Sequence, residues 1–553
     1  MKKNLYCYFI IFLFAFSYFF FLNEGSYFIG DDTIFHTSNI LVMSKTINIF
    51  NFVPGKIMPI LVNNLGYGVN LFYPIFPHLV GAYLVKIFEV FNLGIDFVMK
   101  FMHFIVISLS GILMYKYVFT AFKNRCQALV SAIIYQSMPY LFTDIFMRCA
   151  LNESFLFIYL PIIFLSLYYL FEEDDKIKFY LYFVIGYSLL IYSHLVLAVY
   201  LTIFIIGFMF VYYKKLFSKK IISKLIIASI LILLITSNFW APLLEHKLLD
   251  NYFILNYSYN TMKDVEIAKA GYYFFPLKLF STNPERFLLF YISPISLILM
   301  FGLYFLGYRK KIKKEHGKIL LGMGIFFCLS LVVATSSFVW KFVPNILKNI
   351  QFAWRLALFI AFSASVLAGY GFRLFNNKWR KIVLIITIIC CFVGNCYLTS
   401  YVTYKISDDI KFLDDSCCHI QWSYEYLPNI SIPNSLQLYN KTIDLNNRYI
   451  KVIKNEVPNM EFEVFDLKGS INVEFPRIYY LGYKLVNDKG EKIILYQNRN
   501  GLLSTEIKGN GIYYLKYEGT IIDKITRLLS SVTMILSIVY MVAVKFVKRK
   551  EDN

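Results

Sequence analysis

The sequence predicts a mainly α-helical fold: a polytopic transmembrane bundle of about twelve spans, with a small extracytoplasmic antiparallel β domain before the last span. Three observations predict it. The 553-residue chain is 58% hydrophobic and only 16% charged, with a mean hydropathy of +0.57, so it is far more apolar than an average globular domain. Apolar runs of about 20 residues, the length that crosses a bilayer, recur along it. The Lys and Arg residues cluster in short segments between those runs, so the net charge of +20 reports membrane topology and not nucleic-acid binding.

The apolar runs place the spans near 5–22, 97–118, 126–142, 154–171, 225–241, 287–307, 319–336, 353–374, 382–400 and 524–545, with a helical hairpin over 179–213 that turns near His194. Basic clusters such as "KKLFSKK" and "YRKKIKKEHGK" are separated from one another by even numbers of spans. By the positive-inside rule these clusters share the cytoplasmic side, so we expect a plasma-membrane protein with both termini cytoplasmic.

A further apolar segment at 71–91 does not fit that count. If it were a span, it would invert every later loop and place the following basic clusters outside. Its two prolines, His78, Lys86 and Glu89 also suit a helix at the membrane surface. We therefore expect an interfacial or re-entrant helix on the outer face.

The chain is expected to divide into three parts. Residues 1–400 form the transmembrane domain, with a large first outer loop at 23–96. Within 401–521, stretches such as "MEFEVFDL" and "GIYYLKYEG" alternate and are rich in β-branched and aromatic residues, with "NDKGE" and "KGNG" as turn signals. These stretches predict the β domain, and 522–553 is the final anchor with a basic cytoplasmic tail.

The stretch "FIGDDTIFHTSNI" places two carboxylates and a histidine just beyond the first apolar run. Ionisable groups are costly in lipid, so those at the outer ends of spans are candidates for a site. If a helix begins after Gly30, Asp32 and His36 lie four residues apart on one face and supply a general base, alone or with a metal ligand. The alternative is that Asp31 or Asp32 caps that helix.

The second outer loop, "MPYLFTDIFMRCALNESF", carries Asp144, Arg148 and Glu153. The spacing of Asp144 and Arg148 predicts a mutually neutralising i,i+4 ion pair. Glu153 has no evident local partner, so it is a candidate to bind a divalent cation or to position a hydroxyl nucleophile. The topology places His194 at the same level, where a lone histidine at a turn is more often structural.

Trp354 and Arg355, in "QFAWR", lie at the outer end of a later span. A tryptophan belongs at that interface in any case. Arg355 is a basic residue on the side that the positive-inside rule disfavours, and its guanidinium suits bidentate binding of a lipid phosphate. The alternative is an arginine that reaches up to ordinary headgroups.

Ordered motifs reveal a family resemblance. The acidic pair with "FHTSNI", then "MPILVNNLGYGVNLFYPIFP", "MPYLFTDIFMRCALNE", "YSHL", "QFAWR", "YEYLP" and "PRIYYLGYKL", resembles the bacterial YfhO-like membrane proteins. It also resembles the group named for its relation to 6-pyruvoyl-tetrahydropterin synthase. These proteins are similar to the GT-C glycosyltransferases, which take a sugar from a polyprenyl-phosphate donor and place it on an extracytoplasmic acceptor.

The resemblance implies roles for individual residues. The catalytic base would be Asp32 or Asp31, with Asp32 preferred because it shares a helical face with His36. Glu153 or Asp144 would contact the acceptor or a metal ion. The donor phosphate would be held by Arg355 and Arg148, with His194 and Trp354 in support.

The resemblance also implies partners and a place in the cell. They are a polyprenyl-phosphate-linked sugar, a cell-envelope glycan or teichoic-acid-type acceptor, and the lipids of a bacterial plasma membrane. No cofactor is certain, and a divalent cation, Mg²⁺ or Mn²⁺, is left open. No P-loop or Rossmann fingerprint occurs, so a soluble nucleotide donor is not expected.

Two other functions fit the same residues. A lipid or glycan transporter or flippase would also carry ionisable groups within a helical bundle. A non-catalytic envelope assembly protein would use the β domain for recognition. The acidic groups sit at span ends and not at mid-membrane, which favours the glycosyltransferase.

Overall fold

The computed structural model describes residues 2–19, 30–48, 51–249, 252–253, 265–277, 279–280, 287–400, 425–434, 445 and 448–551. Most of these residues are helical. The α-helices are Lys2–Ala15, Thr33–Thr46, Val69–Phe72, Phe76–Glu89, Ile95–Phe122, Arg125–Gln136, Pro139–Phe142, Leu151–Ser154, Leu156–Phe171, Lys176–Ile191, Leu195–Met209, Tyr213–Leu216, Lys219–Ile235, Ser237–Leu249, Gly271–Phe274, Pro294–Tyr308, Lys314–Thr335, Ser337–Phe342, Ala357–Gly371, Asn377–Ser400 and Ile521–Glu551. A π-helical turn spans Thr143–Met147, and 3₁₀ turns span Phe16–Tyr18, Phe210–Tyr212, Asn345–Ile350, Ala353–Leu356, Phe372–Leu374 and Asn429–Asn434.

Seven helical segments in the described part of the chain are long and apolar enough to cross a membrane. They are Ile95–Phe122, Leu151–Phe171, Leu195–Leu216, Lys314–Thr335, Ala353–Leu374, Asn377–Ser400 and Ile521–Val544. The pair Lys219–Ile235 and Ser237–Leu249, bent by 70°, adds an eighth if it is one span. The protein is therefore a multi-pass membrane protein, as the sequence predicts.

The remaining predicted spans hold shorter helices. Asn4–Tyr18 and Pro294–Tyr308 are apolar helices of fewer than 18 residues, and Arg125–Gln136 and Lys176–Ile191 have 12 and 16 residues. Every predicted span thus contains a helix, while the count of twelve crossings stays a prediction. The hairpin is confirmed, because one helix ends at Ile191 and the next begins at Leu195. The segment at 71–91 holds the helix Phe76–Glu89.

The helix Ala357–Gly371 forms the centre of the bundle, and all of its residues are buried. The helices Pro294–Tyr308, Lys314–Thr335 and Arg125–Gln136 pack around it. Gly371 allows the close approach of the first of these, since a Cβ there would clash with the carbonyl oxygen of Leu299. The C-terminal end of this central helix is therefore held against that neighbour, and Arg355 lies in the 3₁₀ turn Ala353–Leu356 just before its first residue.

The described part of the late β domain contains eight strands in two antiparallel sheets. After the short pair β1 (Leu279–Phe280) and β2 (Phe287–Leu288), the strands are β3 (Ile450–Glu456), β4 (Asn459–Val464), β5 (Ile471–Ile478), β6 (Tyr483–Asn487), β7 (Lys492–Ile493), β8 (Tyr496–Gln497), β9 (Leu502–Ile507) and β10 (Gly511–Tyr517). The five-stranded sheet has the order β3-β4-β10-β6-β7 and the three-stranded sheet the order β5-β9-β8. Phe462, Phe475 and Leu503 are buried between them. The predicted β domain is confirmed, while its boundary at 401 lies outside the described residues.

An aromatic cluster joins this domain to the first outer loop. It consists of Tyr67, Phe72, Tyr252, Tyr426 and Tyr480, all buried. Phe72 and Tyr426 stack at an interplanar angle of 6°, and Tyr252 and Tyr480 stack at 10°. The cluster therefore holds parts of the chain that lie far apart in sequence at fixed positions.

Candidate functional site

The two segments predicted to be the first outer loops, around Asp32 and around Arg148, meet backbone to backbone. The Asp32 amide donates a 2.8 Å hydrogen bond to the carbonyl of Arg148. Gly30 allows this approach, because a Cβ there would clash with the backbone of Arg148. Asp32 occupies the N-cap position of the helix Thr33–Thr46, yet its side chain makes no capping hydrogen bond. The Asp32 carboxylate therefore does not cap this helix and is available for another role.

Below this contact lies a buried ionic cluster of Asp144, Arg148, Glu153 and Arg355. Arg148 Nη1 donates 2.8 Å hydrogen bonds to Asp144 Oδ1 and to Glu153 Oε2. Arg355 Nε lies 3.3 Å from the same Glu153 oxygen. Their side chains are at most 14% exposed. With two carboxylates and two guanidiniums the cluster is formally neutral, which is how buried charges are tolerated.

The predicted pair of Asp144 and Arg148 is confirmed, but the expectation that Glu153 lacks a partner is wrong. One oxygen of Glu153 pairs with both Arg148 and Arg355. The Tyr140 hydroxyl donates a 2.6 Å hydrogen bond to the other oxygen. Arg355 belongs to a turn far along the chain, so this contact exists only in the fold. Glu153 is the centre of the cluster.

Aromatic rings fix the two guanidiniums. Arg148 lies over the Trp354 ring at 4.8 Å, and Trp354 stacks between Phe352 and Phe290 at centroid distances of 4.8 and 5.3 Å. Arg355 lies over Phe352 at 5.1 Å, and its Nη1 donates to the carbonyl of Ile350 at 2.8 Å. Such cation–π stacking orients a guanidinium without consuming its hydrogen-bond donors.

Three buried polar atoms of this region have no hydrogen-bond partner among the described residues. They are Trp354 Nε1, Arg355 Nε and Asp144 Oδ2. Trp354 is only 3% exposed. Buried donors of this kind are usually satisfied, so these atoms are candidates to contact a ligand or ordered water. The two N–H donors, one of which belongs to the Arg355 guanidinium, suit an anion.

Asp32 lies within electrostatic range of this cluster, because its backbone amide bonds to the Arg148 carbonyl. Burial raises its pKa, the guanidiniums of Arg148 and Arg355 oppose that rise, and Asp31 and Glu153 add to it. Burial and the neighbouring charge of Glu153 also raise the pKa of Asp144. A carboxylate whose pKa moves toward neutrality is suited to take up a proton. Asp31, in contrast, is exposed.

Two further residues of this neighbourhood were not found by sequence reasoning. Burial raises the pKa of the Tyr73 hydroxyl, and the charge of the nearby Asp32 raises it further. Burial and the charge of Asp32 likewise raise the pKa of Glu425, while Arg355 opposes the rise. Glu425 stands inside the quoted motif "YEYLP", which is the sequence signal that could have drawn attention to it.

The two predicted histidines occupy different positions. His36 Nδ1 is 2.7 Å from His78 Nε2, so its ring pairs with a histidine and not with Asp32. Burial lowers the pKa of His78 to about 3 and that of His36 well below its usual value, which keeps the pair neutral. His194 accepts a hydrogen bond from the Leu197 amide at 3.3 Å and so caps the next helix. Burial and the charge of Arg355 lower the pKa of His194 to about 4, which places it beside the cluster.

The described residues contain no group of three or more His, Cys, Asp or Glu side chains arranged to hold a metal ion. The expectation of a divalent cation, Mg²⁺ or Mn²⁺, therefore stays a prediction.

The fold and the site together define a multi-pass membrane protein with a buried charged site where its helices end. No family model matches the chain, and no curated protein matches it. The YfhO-like resemblance therefore stays a prediction.

Among solved structures, the chain is similar to the oligosaccharyltransferase of Archaeoglobus fulgidus, solved with a tethered acceptor peptide. The identity is 12% and the TM-score 0.46, over 78% of this chain and 60% of that one. It is also similar to ArnT from Cupriavidus metallidurans bound to undecaprenyl phosphate, with 11% identity and a TM-score of 0.42 over 69% of this chain and 62% of that one. It is similar as well to the mycobacterial arabinofuranosyltransferase AftD, with 12% identity and a TM-score of 0.42 over 75% of this chain and 28% of that one.

The chain thus spans less than two thirds of the length of each of these three proteins. At such identities and TM-scores they assign no activity to it.

Proposed function

We propose that this chain is an integral membrane glycosyltransferase. It takes a sugar from a polyprenyl-phosphate-linked donor and places it on an extracytoplasmic acceptor of the bacterial cell envelope, a glycan or a teichoic-acid-type polymer. The observation that carries the proposal is the buried cluster of Arg148, Glu153 and Arg355, with unpartnered N–H donors. Asp32 joins it through the hydrogen bond from its amide to the Arg148 carbonyl, and its carboxylate does not cap the helix.

The donor phosphate binds at Arg355. Arg355 Nε and Trp354 Nε1 both offer hydrogens that no described residue accepts. The contact of Arg355 with Glu153, at 3.3 Å, is an ion pair and not a hydrogen bond. A phosphate oxygen can therefore accept from Arg355 without displacing a well-formed bond, while Glu153 and the Ile350 carbonyl keep the guanidinium in place.

Asp32 acts as the general base. Its carboxylate removes a proton from the acceptor hydroxyl, the oxygen attacks the anomeric carbon, and the bond between that carbon and the phosphate oxygen breaks. The polyprenyl phosphate leaves with the bonding electrons, and its negative charge is stabilised by the guanidinium of Arg355. Attack opposite the leaving group inverts the anomeric configuration.

The site lies on the outer face in this proposal, with both termini cytoplasmic and the β domain extracytoplasmic. Supporting this, Asp32 and His194 are the N-cap residues of their helices, and Glu153 and Arg355 lie just before the helices Leu156–Phe171 and Ala357–Gly371, ends that the predicted topology puts at one level. The positive-inside rule makes that level extracytoplasmic.

The experiment replaces Asp31 and Asp32 together by Asn in a strain that lacks the native copy, and measures glycan on the envelope polymers. Loss of the glycan is expected. Unchanged glycosylation would contradict the proposal. Asp174→Asn, at the opposite end of the bundle, is the matched control and is expected to leave glycosylation intact.

A further inference from the structure

One buried acceptor atom of the cluster is not used by the phosphate and base roles described above. Asp144 is fully buried, and its Oδ1 accepts the 2.8 Å hydrogen bond from Arg148 Nη1. The other carboxylate oxygen, Oδ2, has no hydrogen-bond partner in the part of the chain that the structure describes. Since a buried polar atom without a partner is costly, Oδ2 indicates a ligand or a water molecule.

The backbone around Asp144 fixes the direction of this carboxylate. Asp144 lies in the π-helical turn Thr143–Met147, a type of turn that recurs at functional sites. The Ala150 amide donates to the Asp144 carbonyl at 2.8 Å. The hydroxyl of Thr143 exchanges two hydrogen bonds with the backbone of Leu289, at 2.8 and 3.0 Å. The turn is therefore tied on both sides of Asp144.

A second unpartnered group lies on the same guanidinium. Arg148 stacks over the Trp354 ring at 4.8 Å while it binds Asp144. Trp354 is buried, and its Nε1–H has no acceptor among the described residues. An acceptor oxygen and an N–H donor thus both adjoin Arg148, and Trp354 directly precedes Arg355 in the chain.

These two groups suit a neutral ligand that both donates and accepts hydrogen bonds. Burial and Glu153 raise the pKa of Asp144, while the hydrogen bond from Arg148 favours its ionised form. In that form the carboxylate only accepts, and so does a phosphate, which therefore does not satisfy Oδ2. A cation at Oδ2 would be repelled by the guanidiniums of Arg148 and Arg355. A sugar hydroxyl donates to a carboxylate, accepts from an N–H and carries no charge.

We propose that Asp144 and Trp354 bind the donor sugar: one of its hydroxyls donates a hydrogen bond to Asp144 Oδ2, and Trp354 Nε1 donates to an oxygen of the same sugar. This inference rests on the proposed glycosyltransferase function. It divides the donor site into two parts, with the phosphate on Arg355 and the sugar on Asp144 and Trp354. The site then distinguishes the lipid carrier that bears a sugar from the carrier without one, which favours release of the latter after transfer.

The test measures which lipid the full-length protein prefers. The parent protein carries Asp32→Asn, so that the donor is not consumed. In detergent it is equilibrated with equal amounts of synthetic undecaprenyl phosphate and of the lipid-linked sugar extracted from a strain that lacks the native copy. Mass spectrometry then quantifies both bound lipids.

The parent protein is expected to bind more of the sugar-linked lipid. Asp144→Asn is expected to lower the ratio of sugar-linked to sugar-free lipid about tenfold, the loss of one hydrogen bond to a charged group. Undecaprenyl phosphate offered alone is expected to bind as well as to the parent, because Arg355 is retained. Asp174→Asn, in the half-exposed ion pairs with Lys220 and Lys224, is the matched control.

The outcomes separate the inference from the proposed function. An equal preference for the two lipids in the parent, or a ratio for Asp144→Asn within twofold of the parent, would overturn the inference while loss of both lipids from Arg355→Gln leaves the proposed function standing. Unchanged binding of both lipids by Arg355→Gln would instead overturn the proposed function.

Two further arms complete the test. Loss of the preference from the parent protein in EDTA, with recovery in Mg²⁺, would assign Asp144 to a cation and overturn the inference. If Asp144→Asn does not fold, Trp354→Phe, which keeps a ring over Arg148 and removes the N–H, supplies the same comparison of lipid ratios.

Discussion

The two ends of the membrane helix Leu151–Phe171 carry ion pairs of opposite character. At one end Glu153 is 2% exposed and binds Arg148 and Arg355. At the other end Asp174 is 50% exposed and pairs with Lys220 and Lys224. Exposed pairs contribute little because water screens them, while a buried charge without its partner is costly. The Asp174 end fits a role in membrane topology, and the Glu153 end has the construction of a site.

The largest effect is expected for Asp32→Asn, which removes the base and retains the shape of the side chain. Transfer from the extracted lipid-linked sugar is expected to fall by about 10²–10⁴-fold, the range typical of general base catalysis. The thermal unfolding midpoint is expected to change little, because the side chain makes no capping hydrogen bond. A transfer rate within twofold of the unmodified protein would show that Asp32 is not the base.

Glu153→Ala against Asp174→Ala tests the comparison directly. Removing Glu153 leaves Asp144 as the one carboxylate of the cluster to balance two buried guanidiniums. We therefore expect the free energy of unfolding to fall by about 3–5 kcal/mol. Removing Asp174, which is half-exposed and pairs with the exposed Lys220 and the buried Lys224, is expected to cost less than removing Glu153. Chemical unfolding in mixed micelles measures both. Equal losses in the free energy of unfolding for the two variants would show that the buried cluster stabilises the fold no more than the pairs at Asp174.

Arg355→Lys keeps the charge but removes the fork that fits a phosphate. An increase of about tenfold in the donor KM is expected, with a smaller change in stability than for Glu153→Ala. Lys348→Arg, a conservative exchange in the preceding turn, serves as the control. An unchanged donor KM would place the phosphate away from Arg355.

The pH dependence of transfer is the finest test. Only the deprotonated form of Asp32 acts as a base, so transfer falls as the pH drops through its pKa. Burial raises that pKa above 3.8, so the fall begins at a higher pH than for an ordinary aspartate. Since Arg355 lowers the pKa of Asp32, Arg355→Gln is expected to move the fall to still higher pH in a plot of kcat/KM against pH. Movement to lower pH would contradict this electrostatic account.

Local sequence signals predicted the elements of the fold well. Apolar length located a helix in every predicted span, and strict alternation located the strands of the β domain. The number of full crossings was less predictable, because composition does not show that Arg125–Gln136 is short or that a bend of 70° separates Ile235 from Ser237.

For the site, spacing along one helix predicted the pair of Asp144 and Arg148. It could not predict that Glu153 binds Arg355, or that His36 turns to His78, since these contacts join segments brought together by tertiary packing. Glu425 was missed for the same reason, because its proximity to Asp32 depends on the aromatic cluster.

The central claim is that the buried cluster binds a polyprenyl-phosphate-linked sugar. Mass spectrometry of the lipids that copurify with the protein, compared with those of Arg355→Gln, tests it most directly. The account predicts a polyprenyl phosphate carrying a sugar with the unmodified protein and its loss from Arg355→Gln. Ordinary phospholipids alone, in equal amounts with both proteins, would contradict it.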